Sequence, residues 1–593
     1  MYKYNVSPKA VHGFRGFDNM KSSSILIPVA TGISLMACSP AEEPSAPEVK
    51  PEPDPQPEKP EVVIPEEKPN ILVILMDDLG YSDVGCYGGE INTPNIDRLA
   101  ENGIRFRNFY NAARSAPTRA SLLTGLYPHQ AGVGALNGIP GGGEDYQGYP
   151  KENTCMIPEA IRSAGYTSFI TGKWHLQKQH CSPLDRGFDH SLFTGGGWYF
   201  SSDPKLDSGS TLFLEDKSVK RGSPGLPSEF YTSDLWVDQG LEWVDEAIEN
   251  NKPFFWYLPF NAVHFPIQAP QEEVDKYVGK YMEGYDVIRN RRWEKQKQLG
   301  LFDESDRLTP RNPHPNNTAW DEMTSALRTK QDYRMAIYAA CLDRADQNIG
   351  RALRHLEEKG VLDNTVIFFL SDNGGNGEGG FPGTYETANG PAGQVGSNVF
   401  LGTPWADVAN TPYFLYKHHG HQGGCCTPLI ISWPAGIDKS LWGSIDKENY
   451  GHLIDLMPTI CELTGGNYLS FRDGHITIPA EGTSLVPSLR GEKVHRRNPI
   501  IVEHEGNKMF RDGDWKIVRE YELVNGREST EEENPWRLYN LRTDPTEMTD
   551  LAAQEPAKLN TMVASYKTWA DHIGVNTSLK FTVGKWYTPV RKY

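Results

Sequence analysis

Ser115-Ala116-Pro117-Thr118-Arg119-Ala120-Ser121-Leu122-Leu123-Thr124-Gly125 reads, on local grounds, as a turn that opens a helix. Proline is common at a first helical position, and serine, threonine and asparagine are common just before it. The same stretch has the spacing Ser-x-Pro-x-Arg with a Thr-Gly downstream. A serine hydroxyl is a weak nucleophile unless something activates it. A pattern this short has a real false-positive rate, so its meaning rests on the chain around it.

Several segments read as buried strands, being short apolar runs rich in branched and aromatic residues. Asn70–Met76 runs into Asp77-Asp78, Tyr166–Thr171 into Gly172-Lys173-Trp174-His175, Phe254–Phe260 into Asn261-Ala262-Val263-His264, and Thr365–Leu370 into Ser371-Asp372-Asn373-Gly374. Each polar cluster follows the carboxyl end of its strand, the edge at which α/β sheets bind ligands. Helical patterns alternate with the strands: Asn95–Glu101 after a Thr93-Pro94 start, and Gln331–Lys359 with apolar residues at helical spacing. The polar, basic stretch between Asp275 and Arg328 has the pattern of an outer helix and loop, but reads better as a solvated surface insertion. No internal repeat is present.

Asp77, Asp78, Asp372 and Asn373 are hard oxygen donors. Such a set prefers Ca²⁺ or Mg²⁺ to zinc, and the admixture of an amide oxygen suits Ca²⁺. One Asp-Asp pair alone is usually a turn or cap; two pairs at one end of an expected sheet favour a metal. Lys417-His418-His419-Gly420-His421 has the composition of a metal-binding tract, but the oxygen ligands already make a site.

The order Asp-Asp, Ser-x-Pro-x-Arg, Gly-Lys-Trp-His, a lone His after a strand, Asp-Asn-Gly and then Lys417-x-x-x-x-x-Gly423-Gly424 resembles that of the type I, formylglycine-dependent sulfatases. The resemblance spans roughly residues 69 to 436, with further similarity through Asp455–Leu463 and Leu538–Leu551. It implies an alkaline phosphatase-like α/β fold: a large mixed sheet between helices, with a smaller C-terminal antiparallel sheet plus helix. It also implies that Ser115 is converted to formylglycine, whose hydrate attacks sulfur with one hydroxyl and later expels sulfate as the other loses its proton. The resemblance places one Ca²⁺ on Asp77, Asp78, Asp372, Asn373 and modified Ser115. Arg119 would brace the hydrate and the carboxylates, and Lys173 and Lys417 would grip sulfate. His175 would take the proton during sulfate release, and His264 would assist the leaving alcohol. Serine-type members of the family depend on a radical, iron–sulfur maturating enzyme. This chain has Gln422 where the family usually has Glu before the Gly-Gly pair, a departure that bears on local substrate contacts.

The function expected is hydrolysis of an aryl sulfate or a sulfated carbohydrate. The alternatives are a phosphodiesterase or phosphonate hydrolase of the same superfamily, and a non-catalytic surface glycan-binding lipoprotein. Retention of every matched catalytic position argues against the last.

Bulk properties set the context. The 593 residues carry a formal net charge of −18, with 23% charged and 38% hydrophobic residues. That composition suits a globular enzyme and argues against partnership with nucleic acid or an acidic membrane surface. An anionic substrate therefore has to find a local cluster of cations. Residues 21–37 form a short apolar stretch behind Lys21, the shape of a secretory signal and short for a membrane span. Leu35-Met36-Ala37-Cys38 resembles a bacterial lipoprotein processing site, so residues 1–38 read as a signal peptide with cleavage before a lipidated Cys38. The expected location is outside the cytoplasm, at the cell surface or facing the periplasm, held to the membrane by the lipid alone. Residues 39–68, rich in Pro and Glu, read as an extended tether. The catalytic domain is expected over 69–480 and a C-terminal subdomain over 481–593. In the latter, which is expected to close one side of the pocket, Lys508–Tyr521 reads as a hairpin turning at Asp512-Gly513 and Pro556–Ile573 as an amphipathic helix. Gly195–Phe200 and His504 are further candidates for lining that pocket, with aromatic packing the plainer reading of the former. The other seven cysteines are scattered with no C-x-x-C pair, so no zinc ribbon or dithiol motif is supported.

Overall fold

The computed structural model describes residues 67–581 apart from 177, 179, 208–210 and 312–316. The signal segment, Cys38 and nearly all of the Pro/Glu tether lie outside the described residues. Among the described residues no helix is long and apolar enough to cross a membrane.

Ten strands form one mixed sheet: β1 Asn70–Met76, β2 Gly103–Phe106, β3 Thr167–Lys173, β4 His190–Thr194, β5 Leu212–Leu214, β6 Lys217–Val219, β7 Phe254–Pro259, β8 Thr365–Ser371, β9 Leu429–Ser432 and β10 Ser444–Asp446. Their spatial order is β10-β2-β9-β8-β1-β7-β3-β4-β5-β6. The centre, β8-β1-β7-β3-β4, is parallel throughout, whereas β9, β5 and β6 run antiparallel to their neighbours. Every residue of β8, and every residue of β1 after Asn70, is buried, as expected of a parallel strand covered on both faces. The alternation of the pleat sorts β1 between two cores. Leu72, Ile74 and Met76 face the layer holding α1 (Pro94–Glu101), α3 (Thr232–Glu249) and α5 (Ser325–Glu358). Ile71, Val73 and Leu75 face the layer holding α2 (Ser115–Thr124) and α7 (Leu456–Thr464).

The stretch that reads as a solvated insertion is instead a packed helix, α4 (Tyr285–Gln298), with Arg289, Arg292, Trp293 and Gln296 buried. Arg292 is neutralised by Asp83 at 2.6 Å and Glu90 at 2.8 Å, and Gln296 donates to the carbonyls of Tyr87 and Thr411. Buried cations need such partners, and the partners lie some 200 residues away in the chain.

A second, four-stranded antiparallel sheet is built from β11 Ile500–His504, β12 Asn507–Asp512, β13 Trp515–Arg519 and β14 Arg537–Asn540, in that order. Ile500, Val502, Met509 and Val518 on one face join the main core. Ile501, Phe510, Ile517 and Leu538 on the other pack with Met562, Tyr566 and Ala570 of α8 (Pro556–His572). Asp512 pairs with Trp515, so the hairpin turns at Gly513-Asp514, one residue later than expected, with Gly513 at φ 59°. The seven described cysteines are unpaired.

Candidate active site

Register brings the first ligands together. Met76 at the end of β1 pairs with Ser371 at the end of β8, so Asp77-Asp78 and Asp372-Asn373 leave adjacent parallel strands at the same edge. All four are fully buried. The Asp78 amide donates to Asp372 Oδ1 (3.1 Å), and Asn373 Nδ2 donates to Asp78 Oδ1 (2.7 Å), locking the two turns to each other.

Helix α2 brings Ser115 and Arg119 to this edge. Ser115 is its first residue, and the Oγ lies 3.2 Å from Asp77 Oδ1 and 3.4 Å from Asn373 Oδ1. The helix N-terminus directs its partial positive charge at the same spot. Four residues on, Arg119 is completely buried and places Nη2 3.0 Å from Asp372 Oδ2 and 3.7 Å from Asp77 Oδ2. Its Nη1 donates to the Lys173 carbonyl, tying the helix to the end of β3.

Two lysines complete the charge balance. Lys173 Nζ is 2.5 Å from Asp77 Oδ2, and Lys417 Nζ is 2.7 Å from Asp78 Oδ1. Burial would raise Asp77, but Lys173 and the other cations reverse this and hold its carboxyl well below the usual range. Asp372 behaves oppositely: burial, and then the neighbouring Asp77 carboxylate, push it up to about 7. Burial pulls Lys173 down, while Asp78 and Glu378 outweigh burial at Lys417 and raise it.

His175 follows β3 at φ 59°, and His264 follows β7. Both are pushed down, first by burial and then by Lys173, His264 to about 4, so both rings are neutral at pH 7. The Phe265 carbonyl 2.6 Å from His264 Nδ1 fixes the tautomer with the proton on Nδ1. Nε2 then faces the site, 3.7 Å from Asp78 Oδ2. His175 Nδ1 is buried with no hydrogen-bond partner among the described residues. The aromatic reading of Gly195–Phe200 holds: Trp198 and Tyr199 are fully buried, and the Tyr199 hydroxyl donates to the carbonyls of Asn261 and His264.

The donor set fits a hard divalent cation. Its oxygens come from carboxylates, an amide and Ser115, and ligand atoms of Asp77, Asp78 and His264 lie within 4.8 Å of one another. The crowding that raises Asp372 is of the kind a bound cation relieves.

The expected residues thus converge, and the structure adds four more. Glu378 accepts from Arg114 (2.5 Å) and His418 (3.0 Å) and lies 3.8 Å from Lys417. Asn376 bridges Glu378 and Asp78 Oδ2. Their only signal in the sequence is position: Arg114 directly precedes Ser115, His418 follows Lys417, and Asn376 and Glu378 lie just past Asp372-Asn373. His504, fully buried on β11, lies beside His418 with ring centroids 5.7 Å apart and planes tilted by 35°, so the small sheet abuts the Lys417 loop. The rest of the histidine tract points away: His419 pairs with Glu520 and His421 with Glu547, each at 2.8 Å. Gln422 also faces away from the site, its Oε1 accepting from Tyr110 and Lys516; its departure from the family pattern concerns a domain seam rather than substrate contacts.

Comparison with known proteins identifies the family and the fold. An uncharacterised sulfatase of Schizosaccharomyces pombe is 33% identical over 541 residues, covering 86% of this chain and 95% of the relative. An arylsulfatase of Klebsiella aerogenes is 34% identical over 415 residues, 68% of this chain and 87% of the relative. The Ps i-CgsB protein, solved in complex with k-i-k-neocarrahexaose, shares the fold with a TM-score of 0.60 at 24% identity, over 85% of this chain and 93% of that one. The profile of the sulfatase family matches residues 69–466. The chain belongs to the sulfatase family and is a sulfuric ester hydrolase.

Proposed function

We propose that this enzyme cleaves sulfate esters through a formylglycine made from Ser115, with Ca²⁺ bound by Asp77, Asp78, Asp372, Asn373 and the modified residue. The observation that carries the reading is the position of Ser115: at a helix N-terminus, its Oγ within 3.4 Å of two of the hard oxygen donors. When present, the hydrated aldehyde supplies the nucleophilic hydroxyl, and the cation supplies positive charge against oxygens that become more negative in the transition state.

The chain's own residues do the rest. Arg119 holds Asp372 and Asp77 in place so that their oxygens converge. Lys173 and Lys417 bind the sulfate oxygens and screen the negative charge of the ester from the buried carboxylates. His264, with its proton fixed on Nδ1, presents Nε2 to the leaving oxygen. An anion bound against Lys173 raises the affinity of that ring for a proton, which it then passes to the departing alcohol. His175, its Nδ1 without a partner, accepts a proton from the nucleophilic residue during sulfate release.

Residues 1–38 act as a lipoprotein signal, Cys38 carries the lipid, and residues 39–68 hold the enzyme off the membrane outside the cytoplasm. The catalytic unit occupies 69–480 and the smaller subdomain 481–593. A serine-type maturating enzyme acts on the chain before export. The substrate is an aryl sulfate or a sulfated carbohydrate, in keeping with the names borne by the similar proteins.

Turnover of an aryl sulfate, an aryl phosphate diester and an aryl phosphonate by protein made with a serine-type maturase tests the reading. The expected result is the largest kcat/KM for the sulfate, abolished by chelation and restored by Ca²⁺. A larger kcat/KM for the phosphate diester or phosphonate would assign the chain to that chemistry instead.

A further inference from the structure

Where the C-terminal sheet meets the Lys417 loop lies a group of metal-ligating side chains that the chemistry above leaves unused. His418, His504 and Glu505 each offer one ligand atom, and the three atoms lie within 4.8 Å of one another. The pleat explains the convergence. Ile500 and Val502 of β11 face the main core, so His504, two residues on, faces the same way, onto the loop that carries His418. His504 pairs with Asn507, which leaves Glu505-Gly506 as a two-residue hairpin turn with φ of 49° and 89°. Such a turn favours Asn, Asp or Gly, because both positions need positive φ. A glutamate is held there instead, and His418 stands at φ 83°, a conformation that side chains rarely adopt.

The two imidazoles have nitrogens to spare. His504 is fully buried, and neither of its ring nitrogens has a hydrogen-bond partner among the described residues. Polar atoms buried in this way are costly unless something is bound to them. His418 Nε2 donates to Glu378 Oε1 at 3.0 Å, which leaves Nδ1 as the nitrogen with the lone pair. A carboxylate on the far nitrogen is the usual means of orienting a histidine ligand. The charges favour a cation as well. Lys417 pairs with Asp78 and Arg114 with Glu378, whereas Glu505 meets only the His504 ring, at 3.7 Å, among the described residues.

We propose that His418, His504 and Glu505 form a second metal site, for a borderline divalent ion of the Zn²⁺ class, which fastens the C-terminal sheet to the Lys417 loop. Two imidazoles and one carboxylate suit zinc, whereas the all-oxygen set at the ends of β1 and β8 suits calcium. Zinc bonds of about 2.0–2.1 Å at tetrahedral angles set ligand atoms roughly 3.3–3.4 Å apart. His504 Nε2 and Glu505 Oε1 already lie 3.7 Å apart, so a small torsion of the partly exposed glutamate brings them into range. Arg114 Nη1, 3.1 Å from His418 Nδ1, gives up that contact and stays on Glu378. Three protein ligands leave a fourth position for water or a substrate oxygen.

Metal titration of the full chain, stripped with chelator and refilled with excess Ca²⁺, tests this without requiring turnover. The calcium-loaded protein is expected to take up one further Zn²⁺ per chain, with a rise in thermal midpoint. Co²⁺ in its place should give the intense visible bands of tetrahedral, nitrogen-ligated cobalt, which an oxygen-ligated octahedral ion lacks. His504→Ala and Glu505→Gln should each weaken Zn²⁺ binding at least about tenfold, the least that loss of even an outer-shell partner costs. Glu505→Gln lies at a partly exposed turn and leaves the buried packing of the sheet intact. Asp372→Asn, in the oxygen-donor set, should leave Zn²⁺ affinity within about twofold. No zinc uptake by the calcium-loaded wild type would overturn the site. So would wild-type affinity in Glu505→Gln, or zinc binding lost in Asp372→Asn, which would place the ion at the oxygen donors instead.

Discussion

Two regions of the molecule bury the same kinds of residue and use them differently. At the seam between the large sheet and the C-terminal sheet, every buried carboxylate named is met by a donor: Glu520 by His419, and Glu547 by both His421 and Lys516, the lysine at 2.6 Å. At the carboxyl end of β1 and β8, charges are shared and imperfectly settled. Asp77 faces both Lys173 and Arg119, and Asp372, buried beside Asp77, is pushed to about 7. Settled charge holds domains together; unsettled charge is the ordinary mark of a site waiting for a ligand.

The comparison breaks most sharply through stability at the seam. Glu547→Ala strands the fully buried Lys516 and is expected to cost about 3–5 kcal/mol, read as a lower urea midpoint. Turnover per folded molecule should stay near wild type; a large loss of rate at unchanged stability would place the seam inside the catalytic apparatus. Lys173→Ala should do the reverse. Loss of one positioned cation lowers kcat/KM on the order of 10²–10³-fold, with thermal stability changed far less.

The next effect is on pH. Burial, then Arg496, hold His452 down at about 3, below its value of about 6.5 in the unfolded chain. The unfolded state therefore binds the extra proton, and the stability from neutral His452 is complete above pH 6.5 and lost as pH falls from there towards 3. By pH 5 the loss is about 2 kcal/mol. His452→Asn should make the decline of the unfolding free energy between pH 7 and 5, read from urea titrations, shallower by about that amount. Glu547, brought down to about 2 by Lys516 and His421 against the effect of burial, adds a second loss as pH falls from about 4.5 towards 2. The smallest effect expected is that of Gln422→Glu. Gln422 Nε2 has no partner among the described residues, but a carboxylate there would face Lys516 and crowd Glu547 at once, so stability should change by no more than about 1 kcal/mol and kcat/KM not at all. A changed KM would return this position to the substrate site.

Much of this was legible in the sequence because the site is built at strand ends. An apolar run that stops in Asp-Asp, Lys-Trp-His or Asp-Asn announces both the strand and the side chains its end presents. What local pattern could not supply was pairing across the chain. Helix α4, with mean composition dominated by Arg, Lys and Gln, reads as solvated because the partners of Arg292 lie at Asp83 and Glu90. Gln422 reads as a substrate contact for the same reason: its partners, Tyr110 and Lys516, come from distant strands. Glu378 and Asn376 sit in a glycine-rich loop whose path only the folded chain defines.

The central claim is that Ser115 does its work as an aldehyde. Mass spectrometry of the peptide containing Ser115–Arg119, from active protein made with a serine-type maturase, tests it directly. The account predicts loss of two hydrogens at Ser115, or the mass of the corresponding hydrate, with activity rising in proportion to the modified fraction. Unmodified Ser115 in fully active enzyme would contradict it and make the serine hydroxyl itself the nucleophile.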